Sequence, residues 1–424
     1  MHIKPIFNST QIKELAHKYG TPLYIYNRSI IERQCRVLRN NLPEYIRIMY
    51  SLKANPNRSL CKVISNEDIG AEISSGGELH IALSSAFSPS EIVASGPGKT
   101  TDELDYYISN DIWMINCESE AELKRINTVA KRFGKSISVG LRINPNKIGK
   151  GAKAKMGGKA TQFGIDEKRI DEVLTLAKKL DNVSVCGIHV YCGTQILSSQ
   201  IISENCRYIA CLAKQIIATH NIQLKVVNFG GGLGIPFSAK EKPLNIHELC
   251  KRIHQICKEL RNTSGFENTL FVLETGRFLI GTSGVFVCRV QDVKKSRGKT
   301  YIIIDGGINN FMSLSPLFRW ARTNPINYLL KQNGTQDRKQ IIANIVGPLC
   351  TTIDICSLQQ PITEPKIDDI IVFGNAGAYS LSMSPVLFLG RPMPAEVLVS
   401  HGKESIIRQR GSFKQLIGEE IINS

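Results

Sequence analysis

Leu224-Lys225-Val226-Val227-Asn228-Phe229 runs directly into Gly230-Gly231-Gly232-Leu233-Gly234. An apolar, β-branched run that ends in glycines predicts a buried strand opening into a loop. Without Cβ atoms, the backbone N–H groups of such a loop can surround an anion. The position of the loop along the chain decides between two architectures. A doubly wound sheet normally carries its phosphate-binding glycines after the first strand. Here six comparable runs come earlier, Ile46–Tyr50, Ile69–Ile73, Ile92–Ala94, Ile112–Ile115, Ile137–Ile143 and Val183–Val190, and Leu270–Leu273 follows. Amphipathic segments lie between several of them, among them Glu118–Arg132, Asp171–Leu180, Gln200–His220 and Ile246–Arg261. Eight alternating units predict a (β/α)8 TIM barrel, with the glycine loop after its seventh strand, where such barrels hold phosphate.

Beyond the eighth unit the pattern changes. Gly284–Val290, Thr300–Ile304, Asp369–Phe373, Ala395–Val399 and Glu404–Arg408 are β-branched runs joined by Gly, Pro and Asn turns. We expect a barrel over residues 26–280 and a β-sandwich or β-barrel domain over 281–424, completed by residues 1–25. A chain of 424 residues suits two cores rather than one.

Bulk composition excludes several function classes. With 42% hydrophobic and 21% charged residues the chain is an ordinary globular protein. No apolar run approaches the roughly 20 residues of a membrane span, and Met1–Pro5 carries no hydrophobic signal segment. Twelve cysteines lie scattered without a CxxC pair or metal-ligand spacing, so free thiols in a reducing cytoplasm are expected, and no metal. The net charge of +16 brings no helix-turn-helix, zinc-finger or RNA-binding signature with it. The dense basic loop Lys147–Lys159 is interleaved with glycine and holds no aromatic, which suits a mobile loop or an anionic substrate better than nucleic acid.

Barrel enzymes keep their chemistry at the C-terminal strand ends. Strand one leads to Lys53, set directly after Ile46-Arg47-Ile48-Met49-Tyr50 and so placed to form a Schiff base with a carbonyl cofactor. Strand two carries Glu72, followed by Glu78, and strand five runs into Arg142. Strand six ends at His189 and Tyr191, strand seven at Gly230, Gly231 and Gly232, and strand eight at Glu274, Gly276 and Arg277. A carboxylate at Glu274 suits a pyridine nitrogen, which it would keep protonated as an electron sink.

In type, order and spacing these motifs resemble the fold-type III pyridoxal-phosphate decarboxylases, which include ornithine, arginine and diaminopimelate decarboxylases. The resemblance implies pyridoxal 5'-phosphate held by Lys53, with Glu274 on the ring nitrogen. It puts Gly230, Gly231, Gly232, Gly276 and Arg277 on the phosphate. His189-Val190-Tyr191-Cys192-Gly193-Thr194 matches the family's His-x-His-x-Gly-Ser stretch, so Tyr191 takes the ring-stacking place and Thr194 a phosphate-side place. From the second domain, Cys350 would protonate the substrate Cα across an obligate head-to-tail homodimer, and Tyr379 would lie near the phosphate. Arg142 is expected to support Glu274 or His189.

The sequence departs from the lysine pathway's enzymes where substrate is held. They carry a glutamate directly after the cysteine, and here it is Thr351; the family's Arg-Pro is also absent, with Arg319 and Arg322 nearby instead. Arg142, Arg319, Arg322, Thr351 and Asp354 are the candidate substrate residues. Lys155-Met156-Gly157-Gly158, Gln162-Phe163-Gly164 and Gly347-Pro348-Leu349-Cys350-Thr351 resemble the subgroup acting on modified amino acids, such as carrier-protein-bound glutamate or citryl-diamino acids of siderophore pathways. Diaminopimelate decarboxylation is the runner-up, and three further alternatives stand beside it: an alanine racemase (which would place arginine where Glu274 stands), a non-catalytic homologue and a barrel-only cofactor carrier. The last would lack the β domain.

Overall fold

In the computed structural model the described residues are 6–146, 154–155, 160–238, 241–318, 325, 327–332, 338–418 and 420–421. Two compact units divide the chain: residues 32–235 with 243–279, and residues 1–31 with 236–242 and 280–424.

The larger unit is a closed barrel of eight parallel strands. In chain order they are Ile46–Ser51, Gly70–Ile73, Ile92–Ala94, Met114–Cys117, Ile137–Asn144, Val183–His189, Val226–Asn228 and Leu270–Thr275. Each pairs with the next, and the eighth returns to the first through Leu273↔Ile48 and its neighbours. The predicted barrel is therefore observed, and the strand limits move by only a few residues. Helices Arg58–Ser65, Gly76–Ser84, Thr101–Ser109, Glu120–Arg132, Ile170–Ala177, Ser199–His220 and Ile246–Arg261 form the connections. Most begin at a side-chain cap, such as Ser75 accepting from Glu78 N and Thr100 from Glu103 N, which satisfies a backbone donor the helix itself cannot.

The barrel interior is filled by Met49, Val93, Met114, Cys186, Val226 and Val272. Two glycines make room for the methionines. A Cβ at Gly70 would collide with Met49 Sδ and the Glu91 carbonyl, and one at Gly140 would lie 2.5 Å from Asn116 Oδ1 and 3.2 Å from Met114 Sδ. Close packing leaves little slack for an added group.

The smaller unit is built on a sheet ordered Ile355–Thr363, Gln340–Val346, Lys299–Ile304, Gly284–Ser296, Leu23–Asn27, Ala395–Ser400 and Lys403–Arg408. Ile370–Phe373 pairs with both Gly284–Ser296 and Asn327–Leu330. Leu23–Asn27 shows how alternation builds this core. Leu23 and Ile25 join Ile12 and Leu15 of helix Ser9–Tyr19 on one face. Tyr24 and Tyr26 face the other way, with Tyr24 against Phe286 at 4.8 Å between ring centres. All twelve cysteines are unbridged, and no described helix is long and apolar enough to cross a membrane.

Replacing Gly70 with valine should cost about 1–3 kcal/mol, the usual range for overpacking a filled core. A denaturant midpoint equal to wild type for Gly70→Val would contradict the packing described.

Candidate active site

The C-terminal strand ends gather the predicted side chains. Lys53 sits in the short 3-10 turn Leu52–Ala54 that follows the first strand. Its Nζ donates to both oxygens of Glu72, at 2.8 and 2.7 Å, and Glu72 itself is 1% exposed on the second strand. A buried carboxylate requires a partner of this kind. One turn away, burial and the charge of Glu72 push the Glu78 carboxyl up to about 7, against the opposing pull of the Ser74 amide and Lys53.

The eighth strand, paired with the first, supplies a second carboxylate. Glu274, 3% exposed, accepts from Asn228 Nδ2 at 2.8 Å, and Asn228 Oδ1 accepts from Gly230 N at 2.8 Å. His189 Nε2 stands 3.4 Å from Glu274 Oε2 outside hydrogen-bond geometry, and neither ring nitrogen has a hydrogen-bond partner among the described residues. Burial alone would raise the Glu274 carboxyl. The His189 and Lys53 charges and the Asn228 bond outweigh it and hold the group at about 2, below its ordinary 4.5.

The glycines draw these strand ends together. A Cβ at Gly231 would collide with the Glu274 carbonyl, one at Gly232 with the Gly193 carbonyl, and one at Gly230 would stand 2.5 Å from Val190 O and 3.2 Å from the Tyr191 ring. At Gly276 it would meet Ala54 Cβ at 2.6 Å. Their first task is thus close approach of neighbouring backbone, with Gly230 and Gly232 also at positive φ. Arg277, buried, follows Gly276 at the start of the turn Arg277–Ile280. Thr194 lies in a two-residue strand pairing with Ala154, so the backbone of the basic loop reaches this segment at Gly193↔Lys155. The rest of Lys147–Lys159, like Arg319 and Arg322, lies outside the described residues.

Arg142 departs from expectation. Its guanidinium pairs with Glu118 at 2.6 Å and lies over the Phe163 ring at 4.8 Å, and no hydrogen bond joins it to Glu274 or His189. Glu118, expected at the start of a helix, ends the fourth strand region instead and accepts from Gly96 N and Gly164 N. The helix begins at Glu120 behind the cap Ser119. Asp354 is buried, and its two oxygens accept from Ile308 N and Leu349 N, each at 2.8 Å. Cys350 is exposed in the loop after Gln340–Val346, Thr351 is half-buried, and Tyr379 holds a left-handed φ of 53° with its carbonyl bonded to Ser313 Oγ.

Three residues of the barrel mouth and interior carry no motif in the sequence: Asn228, Lys99 and Glu122. Asn228 was hidden in an apolar run, although a polar residue inside a Val-Val-Asn-Phe strand is itself a signal. Lys99 and Glu122 form a buried ion pair at 2.7 Å, each side chain 1% exposed, that closes on Gly96 O and Asn116 O.

An amine on a buried carboxylate, a second buried carboxylate held ionised beside His189, and glycine-lined loops together fit pyridoxal phosphate. The family model of the pyridoxal-dependent decarboxylase, pyridoxal binding domain, matches residues 28–281. The chain belongs to the pyridoxal-dependent decarboxylases. It is 34% identical over 98% of its length to the L-glutamyl-[BtrI acyl-carrier protein] decarboxylase of Niallia circulans, covering 97% of that protein. It is 32% identical to the diaminopimelate decarboxylase of Aquifex aeolicus (strain VF5), covering 96% of this chain and 93% of that one. A Staphylococcus aureus (strain NCTC 8325 / PS 47) enzyme, 2-[(L-alanin-3-ylcarbamoyl)methyl]-2-hydroxybutanedioate decarboxylase, is 31% identical across 90% of this chain and 94% of its own. Among solved structures, Helicobacter pylori diaminopimelate decarboxylase complexed with L-lysine superposes with a TM-score of 0.87 at 28% identity, over 96% and 99% of the two chains. This pyridoxal-phosphate-dependent carboxy-lyase acts on an amino-acid substrate.

The depressed Glu274 carboxyl contributes stability that is complete above its unfolded value of 4.5 and is lost as pH falls toward about 2. In the cofactor-free protein, Glu274→Gln should flatten the acid limb of a Tm-versus-pH curve in that window. A limb identical to wild type would show that Glu274 carries no such stabilisation.

Proposed function

We propose that this decarboxylase acts on a modified amino acid whose distal end carries no free ammonium, either carrier-bound glutamate or a citryl-diamino acid of a siderophore pathway. The observation that carries this reading is the Cys350 loop. Thr351 is uncharged, and the loop's carboxylate, Asp354, is 3% exposed and turned onto two backbone amides. A distal ammonium would find no free carboxylate there, and an enzyme built for such an ion supplies one. The glutamyl-carrier and citryl-type relatives, and the backbone pairing that brings the basic loop to Gly193–Thr194, support it. Diaminopimelate remains the second reading, favoured by the relatives that act on it.

Roles follow from position. Lys53 supplies the amine that holds the cofactor, and Glu72 keeps that amine aimed and stands ready to take the proton it must lose to react. Glu274, ionised and buried, holds the proton on the ring nitrogen. Bound there, pyridoxal phosphate accepts the electron pair left when the α-carboxylate departs as carbon dioxide. Tyr191 covers the ring and excludes water from one face, while Gly230, Gly231, Gly232, Thr194, Gly276 and Arg277, with Tyr379, bind the phosphate. Cys350, contributed across a head-to-tail homodimer interface, returns a proton to Cα. The twelve free thiols suit a reducing cytoplasm.

Carbon dioxide release by the loaded protein should be at least about tenfold more efficient, as kcat/KM, from a glutamyl-carrier thioester or a citryl-diamino acid than from meso-diaminopimelate. The reverse preference would establish the lysine-pathway reading. Lys53→Ala should lose the visible absorbance of the bound cofactor and lower turnover about 10²–10⁴-fold, as expected on removing an acid–base group. Retained absorbance and turnover would remove Lys53 from its role.

A further inference from the structure

Asp354 is 3% exposed, and its carboxylate bridges two loops of the smaller unit. Oδ1 accepts from Ile308 N and Oδ2 from Leu349 N, each at 2.8 Å, while its main-chain oxygen accepts from Gly347 N at 3.1 Å. Ile308 follows strand Lys299–Ile304, and Leu349 immediately precedes Cys350. Those two loops leave parallel neighbouring strands, paired through Ile303↔Val346, and so emerge side by side. Two glycines open the space between them. A Cβ at either Gly307 or Gly347 would collide with the Asp354 carboxylate, and neither glycine has a positive φ, so the demand is for room and not for conformation. Outer fastenings complete the loop: Ser315 Oγ donates to Ile353 O at 3.0 Å, and Arg391 to Pro348 O at 3.2 Å.

We propose that Asp354 is a positioning residue: its carboxylate pins the Leu349–Cys350 turn to the Gly307–Ile308 turn and thereby fixes where the Cys350 thiol stands. A carboxylate that accepts two backbone N–H groups holds them more firmly than a neutral acceptor does. Removing it leaves both buried donors unpaired, and the turn they belong to loosens. The effect on turnover rests on the reading of Cys350 as the proton donor; the anchoring itself does not.

The test uses full-length, cofactor-loaded protein carrying Asp354→Asn, with Gly347→Ala, which presses a methyl group onto the same carboxylate, and Cys350→Ser in parallel. Hydrogen exchange is followed by mass spectrometry in peptides spanning residues 305–311 and 345–354. In the first two variants these peptides should exchange about tenfold faster or more, the change expected on losing one hydrogen bond to a charged group. Barrel peptides and cofactor absorbance should stay unchanged. Turnover should fall at least about tenfold with KM within about twofold, as for a misplaced reacting group. Unchanged exchange in both peptides overturns the proposal. Faster exchange with full turnover in Asp354→Asn, while Cys350→Ser is impaired, overturns it too, since the thiol would then work without its anchor. Full turnover in Cys350→Ser would instead retire the Cys350 reading and leave the anchor standing on the exchange data. If Asp354→Asn does not fold, Gly347→Ala gives the same comparison.

Discussion

An ionised carboxylate buried at the end of a closed barrel is the constraint on which the rest of the site depends. Glu274 cannot be solvated by water, so its charge must be met by protein. Asn228 meets one oxygen directly, and His189 and Lys53 act through their charges. Asn228 also receives Gly230 N, which ties the carboxylate to the first glycine of the loop after strand seven. That loop packs so closely on the Glu274 carbonyl that only glycine fits at Gly231. A single buried charge thus couples the shapes of strands six, seven and eight.

Two carboxylates divide the labour at the barrel mouth. Glu72 is committed to Lys53 by two hydrogen bonds, and Glu274 accepts from Asn228 on the neighbouring seventh strand. Burial and the charge of Glu72 raise the Glu78 carboxyl to about 7, so it carries less negative charge than an ordinary glutamate. The environments push these two acidic groups in opposite directions, Glu78 up and Glu274 down. A third pair, Lys99 with Glu122, sits wholly inside and braces Gly96 and Asn116.

The barrel was legible because period, order and glycine position agreed along the chain. Strand limits such as Ile92–Ala94 and the helix Ile246–Arg261 match the sequence pattern residue for residue. In the β domain the pattern fails for physical reasons. Ile355–Thr363 lies at the end of its sheet, where Pro361 is tolerated because no further ladder needs its N–H. Gln340–Val346 is bulged and leaves Ile342 66% exposed, so apolar alternation does not mark its buried face. Residue type suggested that Arg142 and Asp354 matter, but not whom they touch. Arg142 finds Glu118, and Asp354 finds two backbone amides, partners that depend on how the loops fold back. Glu118 adjoins an amphipathic run, which predicts a helical residue, but the cap at Ser119 starts the helix at Glu120.

The claim tested most directly is that Glu274 keeps a proton on the cofactor's ring nitrogen. The measurement is nitrogen-15 NMR of the protein loaded with pyridoxal phosphate labelled at that nitrogen, followed across the neutral range. A protonated-nitrogen signal that persists through neutral pH in the wild type and is lost in Glu274→Gln is the predicted result. An unprotonated nitrogen at neutral pH in the wild type would contradict the account.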